Sequence, residues 1–183
     1  MFEQLPEGHM IKTMVTEHEH ILAMLDELQD ISLQLSDNDR NNGMASMNRA
    51  NELADKIIGA EPHHQREELV LFSTLEELGI SGPTQVMRME HEMMREMKHD
   101  LKSQTGNADG DWSVRVEKVS QLISELCSML RQHIDKENNI LYPIALQSIT
   151  ADTQWEEMRI RCDEIGYCCF CPETQKELDG ASI

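Results

Sequence analysis

Aromatic residues are scarce in this sequence: 2 Trp, 2 Tyr and 3 Phe make up 4% of 183 residues. Sheets draw on aromatic and β-branched side chains, so a strand-rich fold is not expected. Basic residues are also few, 16 Lys and Arg against 34 Asp and Glu, for a formal net charge of −18. That charge argues against nucleic acid and anionic membrane surfaces as partners, because both would repel the chain. Runs of about 18 apolar residues are missing, which excludes a bilayer-spanning helix from the expectation. The first ten residues, MFEQLPEGHM, lack a basic start and an apolar stretch, so they are not read as a secretory signal. Cysteines number 5, an odd count, and Cys162, Cys168, Cys169 and Cys171 crowd together. This is no secreted disulfide framework, and a reducing cytoplasm is the expected location. Neither a Gly-rich phosphate loop nor a nucleophile elbow occurs.

What is present suits helices: 13 Met, with Leu, Glu and Ala filling long periodic stretches. Met14, Ile21, Leu22, Leu25, Leu28 and Leu35 recur at helical spacing, predicting a first helix over about 11–35. The polar run Ser36–Gly43 reads as a loop. A second helix is expected from Met44 to Leu78, bent near Gly59 and Pro62 and stopped by GISGP at 79–83. The third covers about 84–102, and the fourth starts near Asp111 or Trp112, with Asp111 as N-cap. It runs towards Leu146, where Pro143 kinks its last part or marks its near-end. The fold class expected is all-α, an antiparallel up-down-up-down four-helix bundle over residues 1–150. Residues 151–183 form a C-terminal tail, with a short helix over Asp152–Ile165 and the Cys cluster.

The chain also matches itself. His63 to Phe72 and His133 to Tyr142 both have the form H-x-x-x-E-x-x-x-L-[FY]. The segments Glu17-His18-Glu19 and Glu90-His91-Glu92 precede them, so two helix pairs repeat the same order about 70 residues apart. Residues i and i+4 share a helix face, about 5–6 Å apart at Cβ, so a His and a Glu there can converge on one cation. A carboxylate can also bridge two cations. A lone His-x-x-x-Glu pair is ordinarily a surface pair, but two in register with two E-H-E segments point to a metal site. Four imidazoles and two carboxylates from four helices are enough for two ions, with positions left for a small ligand.

These residues resemble the hemerythrin-like family, the HHE cation-binding domain, over roughly residues 10–148. The flanks Leu5-Pro6-Glu7-Gly8-His9 and Asp163-Glu164-Ile165-Gly166-Tyr167-Cys168 look like a prokaryotic subfamily of it. The resemblance implies two iron ions (Fe2+/Fe3+), oxo- or hydroxo-bridged, with zinc or manganese as other occupants. It also implies His18, His63, His91 and His133 as terminal ligands and Glu67 and Glu137 as bridges. Oxygen-carrying hemerythrins place a second His four residues after the one on helix three, and Arg95 stands there. The iron–sulfur-repair branch has an extra His between the first two motifs, and none lies between Ile21 and Pro62. A fifth imidazole is therefore missing or comes from elsewhere.

Several residues compete for the site. His64 with Glu68 is a rival pair about 100° round the helix from His63 and Glu67, the pair selected by the match to helix four. His9 is the best remaining candidate for a fifth imidazole, while His20 points elsewhere on the wheel and His99 lies two turns beyond His91. Asp135 and Glu92 read as solvated groups or as carboxylates that orient imidazoles, and Tyr142 reads as core. The cysteines of the tail read as apolar packing, with a redox-sensing thiol as the other reading.

The function expected is binding or sensing of a small oxidant or diatomic: oxygen, nitric oxide or peroxide. The alternative is an enzyme that reduces peroxide or nitric oxide, or an iron donor in iron–sulfur cluster repair. A third reading is a signalling module. An electron-transfer or signalling protein would then be the partner.

Overall fold

A computed structural model describes residues 2–37, 40–168 and 170. The helices are α1 (Met10–Asp37), α2 (Arg40–Ile58), α3 (Glu61–Arg66), α4 (Ser73–Glu77), α5 (Gly82–Gly106), α6 (Trp112–Lys136), α7 (Tyr142–Ser148) and α8 (Asp152–Ile165). No strand occurs among the described residues, and the protein is an all-α helical bundle. No helix among them is long and apolar enough to cross a membrane.

The described residues form two compact units. One draws on Met1–His20, Gly59–Glu90 and His133–Ile183, the other on Ile21–Ile58 and His91–Gln132. The chain leaves the first unit within α1, returns after α2, leaves within α5 and returns within α6.

The second unit has an aliphatic interior. Ile21, Leu25, Leu28 and Leu35 of α1 are buried with Leu53 and Ile57 of α2 and Ile123, Leu126 and Leu130 of α6. Burying each such side chain contributes about 1.5–3 kcal/mol, which is why the periodicity was readable. On the rim, Arg49 holds Glu27 through two bonds, Nε to Oε1 at 2.6 Å and Nη2 to Oε2 at 3.0 Å. Asp111 caps α6 as expected, accepting from the backbone N–H of Ser113 at 2.9 Å and of Val114 at 3.3 Å. The loop expected over Ser36–Gly43 is shorter than composition suggests, because α1 continues to Asp37 and α2 already begins at Arg40. Polar residues are good first-turn residues of a helix as well as loop formers.

The first unit is different. Met10, Ile11, Met14, Val70, Phe72, Leu75, Met158 and Cys162 share one apolar cluster, so α8 is part of this core. Instead of one bent second helix, the chain turns at Gly59–Ala60, and α3 restarts with Pro62 in its first turn, where a missing N–H costs nothing. Two π-helical turns follow, Glu67–Phe72 and Glu137–Leu141. Each opens on the Glu of a His-x-x-x-Glu repeat. Such wide turns are rare and occur mainly at functional sites.

After α4 the chain ends its helix on Gly79 at φ +84, where Ile80 N–H returns 2.9 Å to the Leu75 carbonyl. An added Cβ at Gly79 or at Gly82 would meet nothing within 4 Å, but only Gly79 has a positive φ. Gly79→Ala is therefore expected to destabilise by about 1–2 kcal/mol through backbone strain alone. Gly82→Ala should be neutral or stabilise by up to about 1 kcal/mol. Thermal unfolding of the two variants side by side checks the difference.

Candidate metal centre

The repeat residues are among the buried polar residues. His18 (1% exposed), His63 (2%), Glu67 (0%), His133 (1%) and Glu137 (1%) are sealed from solvent, as is His91 (0%) on α5. Their donor atoms gather in two groups whose members lie within 4.8 Å of one another: His18, His63 and Glu137, and Glu67, His91, His133 and Glu137. Glu137 belongs to both. Its Oε2 is 3.2 Å from His18 Nε2 and its Oε1 is 2.7 Å from His133 Nε2, so its two oxygens face different imidazoles. His18 and His63 approach through their Nε2 atoms at 3.1 Å, and Glu67 Oε2 lies 3.5 Å from His63 Nε2. Tyr142, directly after the second π turn, lies at this place too.

Each imidazole with a recorded outer contact turns Nδ1 away from the group. His18 Nδ1 meets Asn138 Oδ1 at 3.0 Å, His63 Nδ1 meets Glu17 Oε2 at 2.7 Å, and His133 Nδ1 meets Glu90 Oε2 at 2.7 Å. A carboxylate on one ring nitrogen fixes the tautomer and leaves the other nitrogen as a donor for a cation. The first Glu of each E-H-E segment thus serves the His of the next helix, an assignment the sequence reading did not make. Its signal was there, as the acid directly before His18 and before His91. The acids considered instead, Asp135 and Glu92, are exposed, and Asp135 accepts from Asn139 Nδ2 at 2.8 Å.

Glu17 is held in turn by Arg66, which is 0% exposed and whose Nη2 reaches both Glu17 oxygens at 2.5 and 2.7 Å. Burial opposes the guanidinium charge, but Glu17 outweighs it and raises the Arg66 pKa. The tail closes over this pair: the Tyr167 ring sits 4.6 Å from the guanidinium carbon and Cys168 Sγ lies 3.9 Å from Nη2. Burial, with Glu17 nearby, pushes the Cys168 thiol up to about 12, and burial pushes Cys162 to about 12. Both are packed thiols in this conformation, not thiolates. Cys169 and Cys171 lie outside the described residues.

Tyr142 is fully buried, as expected of core, but its hydroxyl enters the site. It donates to Glu67 Oε1 at 2.7 Å, lies 3.4 Å from His18 Nε2, and its ring stacks on His18 at 5.7 Å. Burial first, then Glu67 and Glu137, raise its pKa well above the ordinary value, so it stays a proton donor. Glu90 runs the other way: burial opposes its charge, while Lys136 and His133 hold its pKa down. His18 keeps its proton more firmly than an ordinary histidine, since Glu137 and Glu67 offset the burial that opposes it.

The remaining candidates separate cleanly. Glu68 is half-buried, against fully buried Glu67. His20 and His99 are exposed. The His9 ring lies tilted at 45° against Trp155, with centroids 4.6 Å apart, and its Nδ1 accepts from the Ile11 N–H at 3.2 Å, capping α1. His64 is buried beside the groups without belonging to either.

Comparison with known proteins agrees with this geometry. The family model described as Hemerythrin HHE cation binding domain matches residues 9–145. The chain is 33% identical over 93 residues to an iron-sulfur cluster repair protein YtfE of Enterobacter sp. (strain 638), covering 46% of this chain and 40% of that protein. The same named protein of Escherichia coli O81 (strain ED1a) is 33% identical, and that of Escherichia fergusonii 32%, with the same coverage. The chain thus spans about two fifths of the length of these curated relatives.

The Glu17–Arg66 pair generates a stability prediction. Arg66→Met leaves a buried carboxylate without its guanidinium, and should destabilise the metal-free protein by about 3–5 kcal/mol. Glu17→Gln combined with Arg66→Met should cost less than the sum of the two single changes, because no lone charge remains. Denaturant unfolding of the three variants measures both.

Proposed function

Because the chain belongs to the hemerythrin HHE cation-binding family, we propose that its two donor groups hold two iron ions and handle a small oxidant or diatomic. His18 and His63 serve one ion and His91 and His133 the other, with Glu67 and Glu137 as bridging carboxylates. The observation that carries this reading is Glu137, with one oxygen towards His18 and the other towards His133. The donor set fits iron: imidazole nitrogens and carboxylate oxygens, with no thiolate in either group. Zinc or manganese would accept the same donors. Bound iron would supply electrons to a ligand such as oxygen, nitric oxide or peroxide at a position the protein leaves open.

The chain's own residues define what happens around that ligand. Burial excludes bulk water. Glu17, Glu90 and Asn138 keep Nδ1 of three imidazoles occupied, so Nε2 is the atom offered. The Tyr142 hydroxyl holds a proton at the rim of the site, next to Glu67. Arg95 at the position where oxygen carriers have a further His makes reversible oxygen storage the weaker form of the reading. The buried thiols of Cys127 and Cys162 suit a reducing compartment.

A second reading is favoured by the relatives' printed name: iron delivery during iron–sulfur cluster repair, with an iron–sulfur protein as partner. The two differ in where the iron ends. A binding or sensing protein keeps its iron while reacting with nitric oxide or peroxide, whereas a repair donor loses it to a damaged acceptor.

Anaerobic titration with Fe2+ is expected to saturate at two ions per chain, and Glu137→Ala should abolish uptake of at least one. Full uptake by Glu137→Ala would remove that residue from the centre. Incubating the iron-loaded protein with a cluster-depleted acceptor and following its iron content separates the readings: retention favours the first, transfer the second.

A further inference from the structure

We propose that His64 is a fifth imidazole of this centre, a ligand of the ion held by Glu67, His91, His133 and Glu137. The inference rests on reading the two donor groups as a metal centre, and it concerns a residue outside both of them. His64 is 3% exposed, although an imidazole next to another on a helix points about 100° away and ordinarily finds solvent. Here that direction leads towards the second group. Its ring centroid lies 6.2 Å from that of His133, with the planes crossing at 76°, and 6.0 Å from that of His63.

The separation can be compared with what ligation requires. A metal–nitrogen bond of about 2.1 Å places two imidazole centroids on one ion roughly 4.5 Å apart when cis and 6.5 Å when trans. His18 and His63, at 4.8 Å, sit near the cis limit. His64 and His133, at 6.2 Å, sit near the trans limit. The separation of the two rings is thus compatible with opposed imidazoles on one ion, once the His64 nitrogen closes on the second group. The adjacent pair His63 and His64 diverge from one helix, so they serve different ions.

Orientation supplies the second argument. His18, His63 and His133 each present Nδ1 to an outer oxygen and Nε2 to the groups. His64 has a looser version of it: its Nδ1 lies 3.6 Å from Glu61 Oε2, an ion-pair distance longer than those hydrogen bonds, and Glu61 lies towards the surface with 31% of its side chain exposed. An outer carboxylate behind an imidazole is the usual accompaniment of a metal-ligating His. The ligand missing at Arg95 on α5 is in this way supplied from α3, one residue after His63.

The test uses the full chain, purified metal-free and titrated anaerobically with Fe2+. Wild type is expected to take up two ions. His64→Ala should keep one tight site and bind the second about 100-fold or more weakly, since even outer groups of a metal site are worth about 10–100-fold. Added imidazole should restore the second ion in His64→Ala, which a packing defect would not allow. Glu61→Gln should weaken the second site by no more than about tenfold, as a positioning group. Metal-free melting of each variant reports folding, and His64→Gln, which keeps bulk and polarity, replaces His64→Ala should the latter not fold. A folded His64 variant that binds two ions with wild-type affinity and an unchanged optical spectrum overturns the inference and leaves the two-iron reading standing. Fewer than two ions in wild type overturns that reading and this inference with it.

Discussion

A carboxylate withdrawn from water must meet a cation or donors, because the desolvation cost is otherwise several kcal/mol. Glu17, Glu67 and Glu137 are all buried beyond reach of solvent, and the arrangement of the first unit follows from how each is answered. Glu17 has Arg66 and His63. Glu67 has the Tyr142 hydroxyl. Glu137 has imidazoles on both oxygens. A chain with net charge −18 would not place acids in its interior unless positive charge were due there.

The division of labour between the two units has the same origin. The second unit buries mainly Leu, Ile, Met and Ala, which stabilise through area removed from water, with His91, Lys98 and Thr105 as its buried polar residues. The first buries acids, imidazoles and one guanidinium, which demand geometry. Its irregular features serve that demand: the break at Gly59–Ala60, the restart on Pro62, and the π turns at Glu67 and Glu137. The tail belongs here too. Tyr167 and Cys168 pack on Arg66, so the segment 162–168 is joined to His63 through one chain of contacts: Arg66, Glu17, His63.

The two copies of the internal repeat differ in one respect at the site. Phe72, the last residue of one π turn, and Tyr142, the first residue after the other, occupy matching places in the repeat, and only Tyr142 brings a hydroxyl. The carboxylates are therefore not equivalent: Glu67 accepts from a phenol, whereas Glu137 faces two imidazoles.

Much was legible beforehand. Apolar spacing marked the long helices, Asp111 its cap, Gly79 a helix end, and two His-x-x-x-Glu copies with two E-H-E segments marked the residues that gather, because i and i+4 share a face whatever the tertiary context. Fixed helical geometry makes such relations local. The sequence by itself therefore determined the helix class, the helical period and which side chains could cooperate within one helix. Only the tertiary structure decided the rest: that Glu17 and Glu90 reach the next helix's His, that Arg66 is buried against Glu17, that Tyr142 turns its hydroxyl inward, and that His64 is enclosed rather than solvated. Those contacts join residues more than 40 positions apart, or depend on π turns whose extra residue has no periodic signature, and no local spacing encodes them.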